Sequence, residues 1–250
     1  MDETDVVETK LAISLIIPAF NEEKLLPRSL DAVQQARAQY RGGPQAIEVI
    51  VADNRSTDRT PEIARAAGCR VAHVEKRRIG AARNGGAAIA RGRILAFADA
   101  DTVVHPESFN AIDAVMATGK FAGGATGWEF ERNSAGLAAT RFVVGKVVTG
   151  LLRIEGGIVF CSRAAFDAIG GYNDSKDIAE DVEFFRAVRN YGKQNGLKMK
   201  LGTPEATATV CTRKFDEHGD WHMFYMALWP LLKWKSMRRI VDDYWYPEQR

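Results

Sequence analysis

Apolar and polar positions alternate in long blocks through the first half of the chain. Four short, almost continuously apolar runs are separated by segments in which apolar residues recur every three or four positions. The first pattern is typical of strands buried on both faces, and the second is typical of helices that cover a core on one side. This order predicts an α/β domain with a mainly parallel sheet between helices, a Rossmann-like three-layer αβα sandwich. The predicted strands are 11–18, 46–53, 70–75 and 93–99, and the predicted helices are 25–40, 60–67 and 80–92.

The second half of the chain continues the same domain with less regular spacing. Helices are predicted at 106–118, 134–152 and 179–192, and apolar stretches lie at 121–130 and 156–162. We assign residues 11–213 to a single domain and residues 1–10 to a flexible N-terminal tail. Residues 214–250 form an aromatic and basic extension, packed on the domain or at a membrane surface.

The composition excludes several classes of protein. With 46% hydrophobic and 26% charged residues among 250, the chain can bury a sizeable core and is not a disordered protein. A formal net charge of +2 gives no general attraction to nucleic acid. The three cysteines form no CxxC pair, so the sequence predicts neither a disulfide framework nor a zinc site.

The sequence also bears on the compartment. The acidic first ten residues lack the features of a signal peptide, and no apolar segment reaches the roughly 20 residues that span a bilayer. We therefore expect a cytoplasmic protein, with peripheral contact at the inner face of the cell membrane as an open alternative.

Three of the predicted strands end in polar residues. These segments are Pro18–Glu22 ("PAFNE"), Asp53–Asp58 ("DNRSTD") and Asp99–Asp101 ("DAD"). Ligands of open parallel sheets bind beyond the carboxyl ends of the strands, so the three segments are expected to converge on one rim. In an extended segment Asp99 and Asp101 would point the same way, which favours Mg²⁺ or Mn²⁺ held partly by substrate phosphates. For such a triplet taken alone, the alternative is a solvated strand end.

Five blocks of sequence carry a resemblance to a known enzyme family. In chain order they are "SLIIPAFNEEKLLPRSL", "EVIVADNRSTDRTPEIA", "IGAARNGGAAIARGRILAFADAD", "GGIVFCSRAAFDAIGGYND" and "AEDVEFFRAVRNYG". Together they resemble the family 2 glycosyltransferases of GT-A fold. The resemblance implies an inverting, metal-dependent enzyme that uses a nucleoside-diphosphate sugar, with UDP as the expected nucleotide. Processive members carry a Q/RxxRW motif and membrane spans, which this chain lacks, so one sugar is expected per encounter.

The resemblance implies a donor site at the rim of the sheet. Ala19 and Glu22 match positions that meet the base and the ribose, and Asp53 matches the residue that recognises uracil. Arg83 and Asn84 match the pair that faces the diphosphate, for which a guanidinium offers a planar fork of donors. The whole implied donor-binding set is Pro18, Ala19, Glu22, Asp53, Arg83, Asn84, Asp99, Ala100 and Asp101.

The metal is implied by the same resemblance. Asp101 matches the metal ligand and Asp99 the carboxylate beside the ribose, which is a second candidate ligand. His218 or His222, in the basic segment near the C-terminus, could complete the shell around Mn²⁺ or Mg²⁺. The alternative for either histidine is an ordinary surface position.

The catalytic base and the acceptor side are implied further along the chain. Asp181 matches the base of inverting members, and an acceptor hydroxyl does need a carboxylate within hydrogen-bond reach to take its proton. The alternative is that an acidic residue in a first helical turn complements the helix dipole. Glu180, Gly156, Gly157 and Tyr172 are the predicted acceptor-side residues. The glycines could equally form a plain turn.

The C-terminal stretch "WHMFYMALWPLLKWKSMRR" combines aromatic residues at helical spacing with a basic cluster. Three interpretations stay open: a core-packing helix, a peripheral helix on anionic lipid, or a homodimer contact.

We therefore predict a glycosyltransferase that moves a hexose-type sugar from a nucleoside-diphosphate donor to a saccharide or lipid-linked acceptor. One alternative is transfer to polyprenyl phosphate, and another is a non-catalytic scaffold subunit that only binds nucleotide sugar. A nucleotidyltransferase would need a glycine-rich, lysine-containing loop after the first strand, and "PAFNEEKLL" offers none.

Overall fold

The structure is a computed structural model that describes residues 11–143, 150, 153–175 and 180–221. Three of the predicted features therefore lie wholly or partly outside the described residues. These are the N-terminal tail, the second half of the helix predicted at 134–152, and most of the aromatic extension, including His222.

Seven strands form the central sheet, in the order β3-β2-β1-β4-β8-β6-β9. All neighbouring pairs are parallel except those of β8, which runs antiparallel to both β4 and β6. The mainly parallel α/β sheet predicted from the apolar runs is thereby confirmed. The strands are β1 Ile13–Ala19, β2 Ile47–Asp53, β3 Arg70–His73, β4 Ile94–Phe97, β6 Phe121–Ala125, β8 Val159–Ser162 and β9 Lys198–Leu201.

Helices cover both faces of this sheet. Side chains alternate along a strand, so Leu15 and Ile17 of β1 face one core cluster while Ile16 faces the other. The first cluster also holds Leu30, from the helix Leu26–Ala38, and the second holds Phe184, from the helix Glu180–Gln194. The three-layer arrangement follows from this alternation. The helices are α1 Leu26–Ala38, α2 Thr60–Ala66, α3 Ile79–Ile89, α4 Ser108–Ala117, α5 Ala135–Phe142, α6 Arg163–Ile169, α7 Glu180–Gln194 and α8 Arg213–His218, with short 3-10 turns at Pro44–Ala46 and Pro204–Ala206.

A second sheet was not predicted. It contains β5 Thr102–Val103, β10 Ala208–Val210 and β7 Trp128–Phe130 in that order, with β10 antiparallel to β5 and parallel to β7. Strands of two or three residues are too short to leave an alternating pattern in the sequence, so hydropathy could not reveal them. Because β5 directly follows the DAD segment, this small sheet places the end of β10 beside that segment.

Glu131 connects the small sheet to α1 through hydrogen bonds. Its carboxylate accepts hydrogen bonds from the Thr212 backbone N–H (2.9 Å) and from Arg28 Nη1 (2.7 Å). Burial alone would raise the pKa of Glu131, but these hydrogen bonds hold it at about 2. The segment after β10 is therefore held to both β7 and α1 by an ionised carboxylate.

Some element boundaries differ from the prediction. The fourth strand ends at Phe97 rather than at Asp99, and α7 continues past Gly192 to Gln194. Thr60 was predicted to cap α2 but is its first residue, with Arg59 in the cap position. Across the described ranges, no helix combines the length and apolar character needed to cross a bilayer.

Candidate active site at the rim of the sheet

The loops after β1 and β2 are bonded to each other, as the predicted convergence requires. The Asn21 backbone N–H donates to Ser56 Oγ (3.1 Å), and the Glu22 N–H donates to Thr60 Oγ1 (2.9 Å). Asn21 and Arg55 both have positive φ angles, 53° and 66°, which reverse the chain sharply at the strand ends. The first two polar segments therefore form one wall of a site at the carboxyl end of the sheet.

Asp53 is the last residue of β2, beneath these loops, and is 4% exposed. Its Oδ1 accepts from the Ser56 N–H at 3.1 Å, and its Oδ2 lies 3.2 Å from His73 Nδ1. Arg65 Nη2 lies 2.9 Å from His73 Nε2. Because a guanidinium can only donate, Nε2 accepts and the proton of a neutral His73 is on Nδ1, directed at Asp53. The Asp53–His73 contact joins neighbouring strands and was not foreseen from the sequence.

The DAD segment forms a turn instead of the extended stretch predicted for it. The Thr102 N–H donates to the Asp99 carbonyl at 3.1 Å, and Ser29 Oγ on α1 donates to the buried Ala100 carbonyl at 2.7 Å. The argument that Asp99 and Asp101 point the same way because they are extended is therefore wrong for this turn. Ala100, between the two aspartates in the sequence, is buried below the turn.

The two aspartates have different surroundings. Asp99 has a side chain 57% exposed and accepts from Arg83 Nη2 at 3.1 Å. Asp101 lies near Cys211 and Arg213. Burial raises the pKa of the Cys211 thiol, and Asp101 adds to that rise. Burial lowers the pKa of the Arg213 guanidinium, but Glu22 and, less strongly, Asp101 raise it above its ordinary value. Arg213 is paired with Glu22 through both guanidinium Nη atoms, each at 3.3 Å. Asp99 therefore belongs to the cluster around Arg83, whereas Asp101 lies near the Arg213–Glu22 pair.

Arg83 on α3 is surrounded by three carboxylates. Its Nη1 lies 2.6 Å from Asp181 Oδ1 and 3.2 Å from Glu180 Oε1, and its Nη2 contacts Asp99. Burial would lower the pKa of this guanidinium, but Asp181 and the other nearby acids raise it well above its ordinary value. Three carboxylates therefore share one buried guanidinium.

The two acids of α7 that contact Arg83 differ in access to solvent. The Glu180 side chain is 10% exposed, whereas that of Asp181 is 46% exposed. Desolvation raises the pKa of both, and the other acids of the cluster raise it further against the effect of Arg83. A raised pKa makes a carboxylate a stronger base, and only Asp181 is open enough to meet a hydroxyl from outside.

Asn84 and Tyr172, a predicted donor contact and a predicted acceptor contact, are bonded to each other. Asn84 Oδ1 accepts from the Tyr172 N–H (2.8 Å), and its Nδ2 donates to the Tyr172 carbonyl (2.9 Å). Tyr172 is 3% exposed and stacks on Phe184 with ring centroids 3.9 Å apart. Both side chains thus hold the loop after α6 against α3, and their predicted ligand contacts stay predictions.

Gly156 and Gly157 lie directly against β7 and the turn before it. A Cβ on Gly156 would lie 2.5 Å from Trp128 Cδ1, and one on Gly157 would lie 2.1 Å from the Gly127 carbonyl oxygen. Gly157 also has a φ of +82°, which favours glycine. Protein atoms therefore occupy the space that a side chain would need. The predicted approach of an acceptor sugar to these glycines stays a prediction.

Gly157→Ala is expected to destabilise the fold rather than to weaken acceptor binding selectively. The added methyl group would meet a backbone oxygen in an unfavourable backbone conformation, at a cost of roughly 3 kcal/mol or more. Thermal unfolding of Gly157→Ala beside Gly150→Ala, where no described residue lies within 4 Å of an added Cβ, measures this. A variant of normal stability that lost only acceptor affinity would contradict the packing role.

The remaining predicted ligands do not form a metal site by themselves. In the part of the chain that the structure describes, no three His, Cys, Asp or Glu side chains form a group that could hold a metal ion. The imidazole of His218 and all of His222 lie outside the described atoms and residues. Metal binding by Asp99 and Asp101 therefore stays a prediction.

The sequence of residues 14–141 matches the model of the family described as glycosyl transferase family 2. The chain belongs to this family. The matched segment contains Asp53, Arg83 and the DAD turn, whereas Asp181 lies beyond it. Family membership therefore supports the donor side of the site more directly than the acceptor side.

One named relative is a 4,4'-diaponeurosporenoate glycosyltransferase of Staphylococcus haemolyticus, 38% identical over 116 residues. The match covers 44% of this family 2 chain and 28% of that protein, so the chain spans only about a quarter of that relative's length.

Solved structures share the GT-A fold of the family. A mannosyltransferase from Pyrobaculum calidifontis in complex with GDP-mannose and Mn²⁺ superimposes with a TM-score of 0.63 at 18% identity, covering 86% of this chain and 60% of that one. Glucosyl-3-phosphoglycerate synthase from Mycobacterium tuberculosis, in complex with Mn²⁺, UDP and glucosyl-3-phosphoglycerate, gives 0.61 at 21% identity, covering 88% and 78%. At these identities the likeness establishes the fold.

Proposed function

We propose that the protein is an inverting, metal-dependent glycosyltransferase that moves a sugar from a UDP-sugar to a hydroxyl of a saccharide or lipid-linked acceptor. The observation that carries this proposal is the contact of Arg83 with both Asp99 of the DAD turn and Asp181 of α7. A donor-side acid and a solvent-accessible acid of raised pKa are thereby close together at the rim of a GT-A sheet.

The chemistry of the DAD turn fits a divalent cation. Mg²⁺ and Mn²⁺ prefer oxygen ligands and are commonly bound by one or two carboxylates together with substrate phosphates. Asp101 and Asp99 offer two carboxylates of this kind in one turn. When bound, the cation would stabilise the charge that develops on the leaving diphosphate.

In the proposed reaction, Asp181 takes the proton of the acceptor hydroxyl as its oxygen attacks the anomeric carbon. The new carbon–oxygen bond forms as the bond from that carbon to the diphosphate oxygen breaks, and the nucleoside diphosphate departs with that electron pair. Attack from the side opposite the leaving group inverts the configuration. The exposed side chain of Asp181, against the buried one of Glu180, supports Asp181 in this role.

The proposed recognition of uracil rests on Asp53. A carboxylate that accepts from Ser56 and His73 has lone pairs left for one further donor, and uracil presents its N3–H. Cytosine presents an unprotonated ring nitrogen there, which a carboxylate would repel. Guanine also offers a ring N–H, and a structural relative is bound to GDP-mannose, so GDP is the competing nucleotide to test.

Two alternatives make different predictions about acceptor and turnover. Transfer to polyprenyl phosphate would require activity that depends on detergent or lipid. A scaffold subunit would bind nucleotide sugar without turnover, whereas an Asp181 carboxyl group open to solvent favours an enzyme. Slow release of UDP from a UDP-sugar in water separates the enzyme from the scaffold.

Calorimetric titration of UDP and, separately, of GDP, each with and without Mn²⁺, tests the donor proposal. We expect UDP to bind at least about tenfold more tightly with Mn²⁺ than without it, since diphosphate oxygens complete the cation's coordination. GDP is expected to bind more weakly than UDP under both conditions. A folded protein that binds neither nucleotide would overturn the proposal.

A further inference from the structure

Arg83 has surroundings that do not match the diphosphate contact that family resemblance implies. Its side chain is 7% exposed, and both of its terminal nitrogens already contact carboxylates of the protein. We infer that Arg83 is a positioning residue, which holds Asp181 in place for proton transfer and ties it to the DAD turn. This inference rests on the proposed function, because it assigns a partner to the proposed base.

Protein carboxylates use most of the hydrogen-bonding capacity of Arg83. Of its five N–H groups, three are directed at Asp181, Glu180 and Asp99. The Nε–H is buried and has no hydrogen-bond partner among the described residues, and the guanidinium lies 5.0 Å from the ring centroid of Tyr172. An incoming diphosphate would therefore meet a buried guanidinium whose two terminal nitrogens already contact protein carboxylates.

The contact with Arg83 restricts the side chain of Asp181. A half-exposed aspartate at the start of a helix would ordinarily sample several rotamers, which costs ordering entropy when a reaction needs one of them. The contact at 2.6 Å with a buried cation restricts that sampling and fixes one carboxylate oxygen, leaving the other for the acceptor proton. A displacement of about 1 Å at a reacting group can cost about 100-fold in rate, so this restraint affects turnover directly.

Arg83 also links two elements of the fold. Asp99 belongs to the turn after β4 and Asp181 to the first turn of α7, and one planar guanidinium contacts both through different nitrogens. Lysine carries the same charge on a single nitrogen, without the fork that spans both acids. The substitution Arg83→Lys therefore keeps a cation in the cluster but removes the defined spacing.

The experiment compares Arg83→Lys with wild type in two measurements. One is the affinity for UDP with Mn²⁺ by calorimetry, and the other is the rate of UDP release from UDP-glucose, UDP-galactose and UDP-N-acetylglucosamine in water. We expect kcat to fall about 10- to 100-fold while the UDP dissociation constant changes by no more than about threefold. Arg163→Lys is the matched control, since Arg163 also forks onto protein oxygens, the Ala90 and Gly92 carbonyls, away from the acids.

A second variant separates positioning from a general structural role. In Arg83→Lys/Asp181→Asn, one acidic charge is gone, so the buried cluster is less unbalanced and the protein should fold even where Arg83→Lys alone does not. If Arg83 acts through Asp181, this double variant should have the same kcat as Asp181→Asn, within about threefold.

The outcomes have distinct meanings. Loss of UDP affinity in Arg83→Lys with unchanged kcat would establish the diphosphate contact and overturn the positioning role. A further loss of about tenfold or more in the double variant, relative to Asp181→Asn, would also overturn it. Failure of wild type to bind UDP or to release it from any of the three sugars would instead refute the proposed function.

Discussion

Asp181→Asn is expected to reduce sugar transfer by about 100- to 10,000-fold while leaving the affinity for UDP with Mn²⁺ unchanged, because an amide cannot accept the acceptor proton. The substitution keeps the size of the side chain and one acceptor oxygen for Arg83, so the cluster should persist. Steady-state kinetics with the true acceptor, or the rate of UDP release in water, gives kcat. Calorimetry gives the dissociation constant of UDP.

The pH profile adds a second readout for the same variant series. Because burial and neighbouring acids raise the pKa of Asp181, the acidic limb of kcat/KM in wild type should lie above the range of an ordinary aspartate. Below that pKa the carboxylate is protonated and cannot act as the base. In Asp181→Asn this limb should be absent from whatever activity remains.

Glu183→Gln is the matched control for Asp181→Asn. Glu183 belongs to the same first turn of α7 and accepts a hydrogen bond from Asn173, so its charge complements the helix dipole equally well. We expect this variant to retain kcat within about threefold. Equal losses in both variants would support the helix-dipole interpretation, and an unchanged kcat in Asp181→Asn would show that the base is another group.

The fold was predictable where local pattern and burial coincide. β1 and β2 are continuously apolar because helices cover both of their faces, and the sequence shows this directly. The antiparallel insertion of β8 between β4 and β6 could not be predicted, because its apolar run would suit either direction. The three short strands of the second sheet depend on long-range pairing and leave no periodic signal.

The family resemblance supplied candidate site residues but not their contacts. It implied Arg83 and Asn84, yet it could not show that Arg83 is enclosed by acids or that Asn84 is bonded to the Tyr172 backbone. His73 carries no motif at all, and its relation to Asp53 arises only from the register of β2 and β3. Such partners lie far apart in sequence, so only the packed structure reveals them.

The DAD turn gives the second large effect: Asp101→Ala is expected to abolish the gain in UDP affinity that Mn²⁺ provides. In wild type that gain should be at least about tenfold, whereas in the variant it should fall below about twofold, because one carboxylate of the only acidic pair in the turn is gone. Without Mn²⁺ the two proteins should bind UDP with similar affinity, since the substitution leaves the proposed contact of Asp53 with the base unchanged.

Asp113→Ala is the control for Asp101→Ala. Asp113 is an aspartate on α4 that is ion-paired with Arg93, away from the DAD turn. It should keep the full effect of Mn²⁺ on UDP affinity. If Asp101→Ala kept that effect as well, the cation would have to be bound without Asp101, and Asp99 with ligands outside the described residues would become the site to test. If instead Asp101→Ala lost UDP affinity equally with and without Mn²⁺, the carboxylate would serve the shape of the turn. The comparison with and without the ion therefore decides between coordination and structure at Asp101, independently of any acceptor.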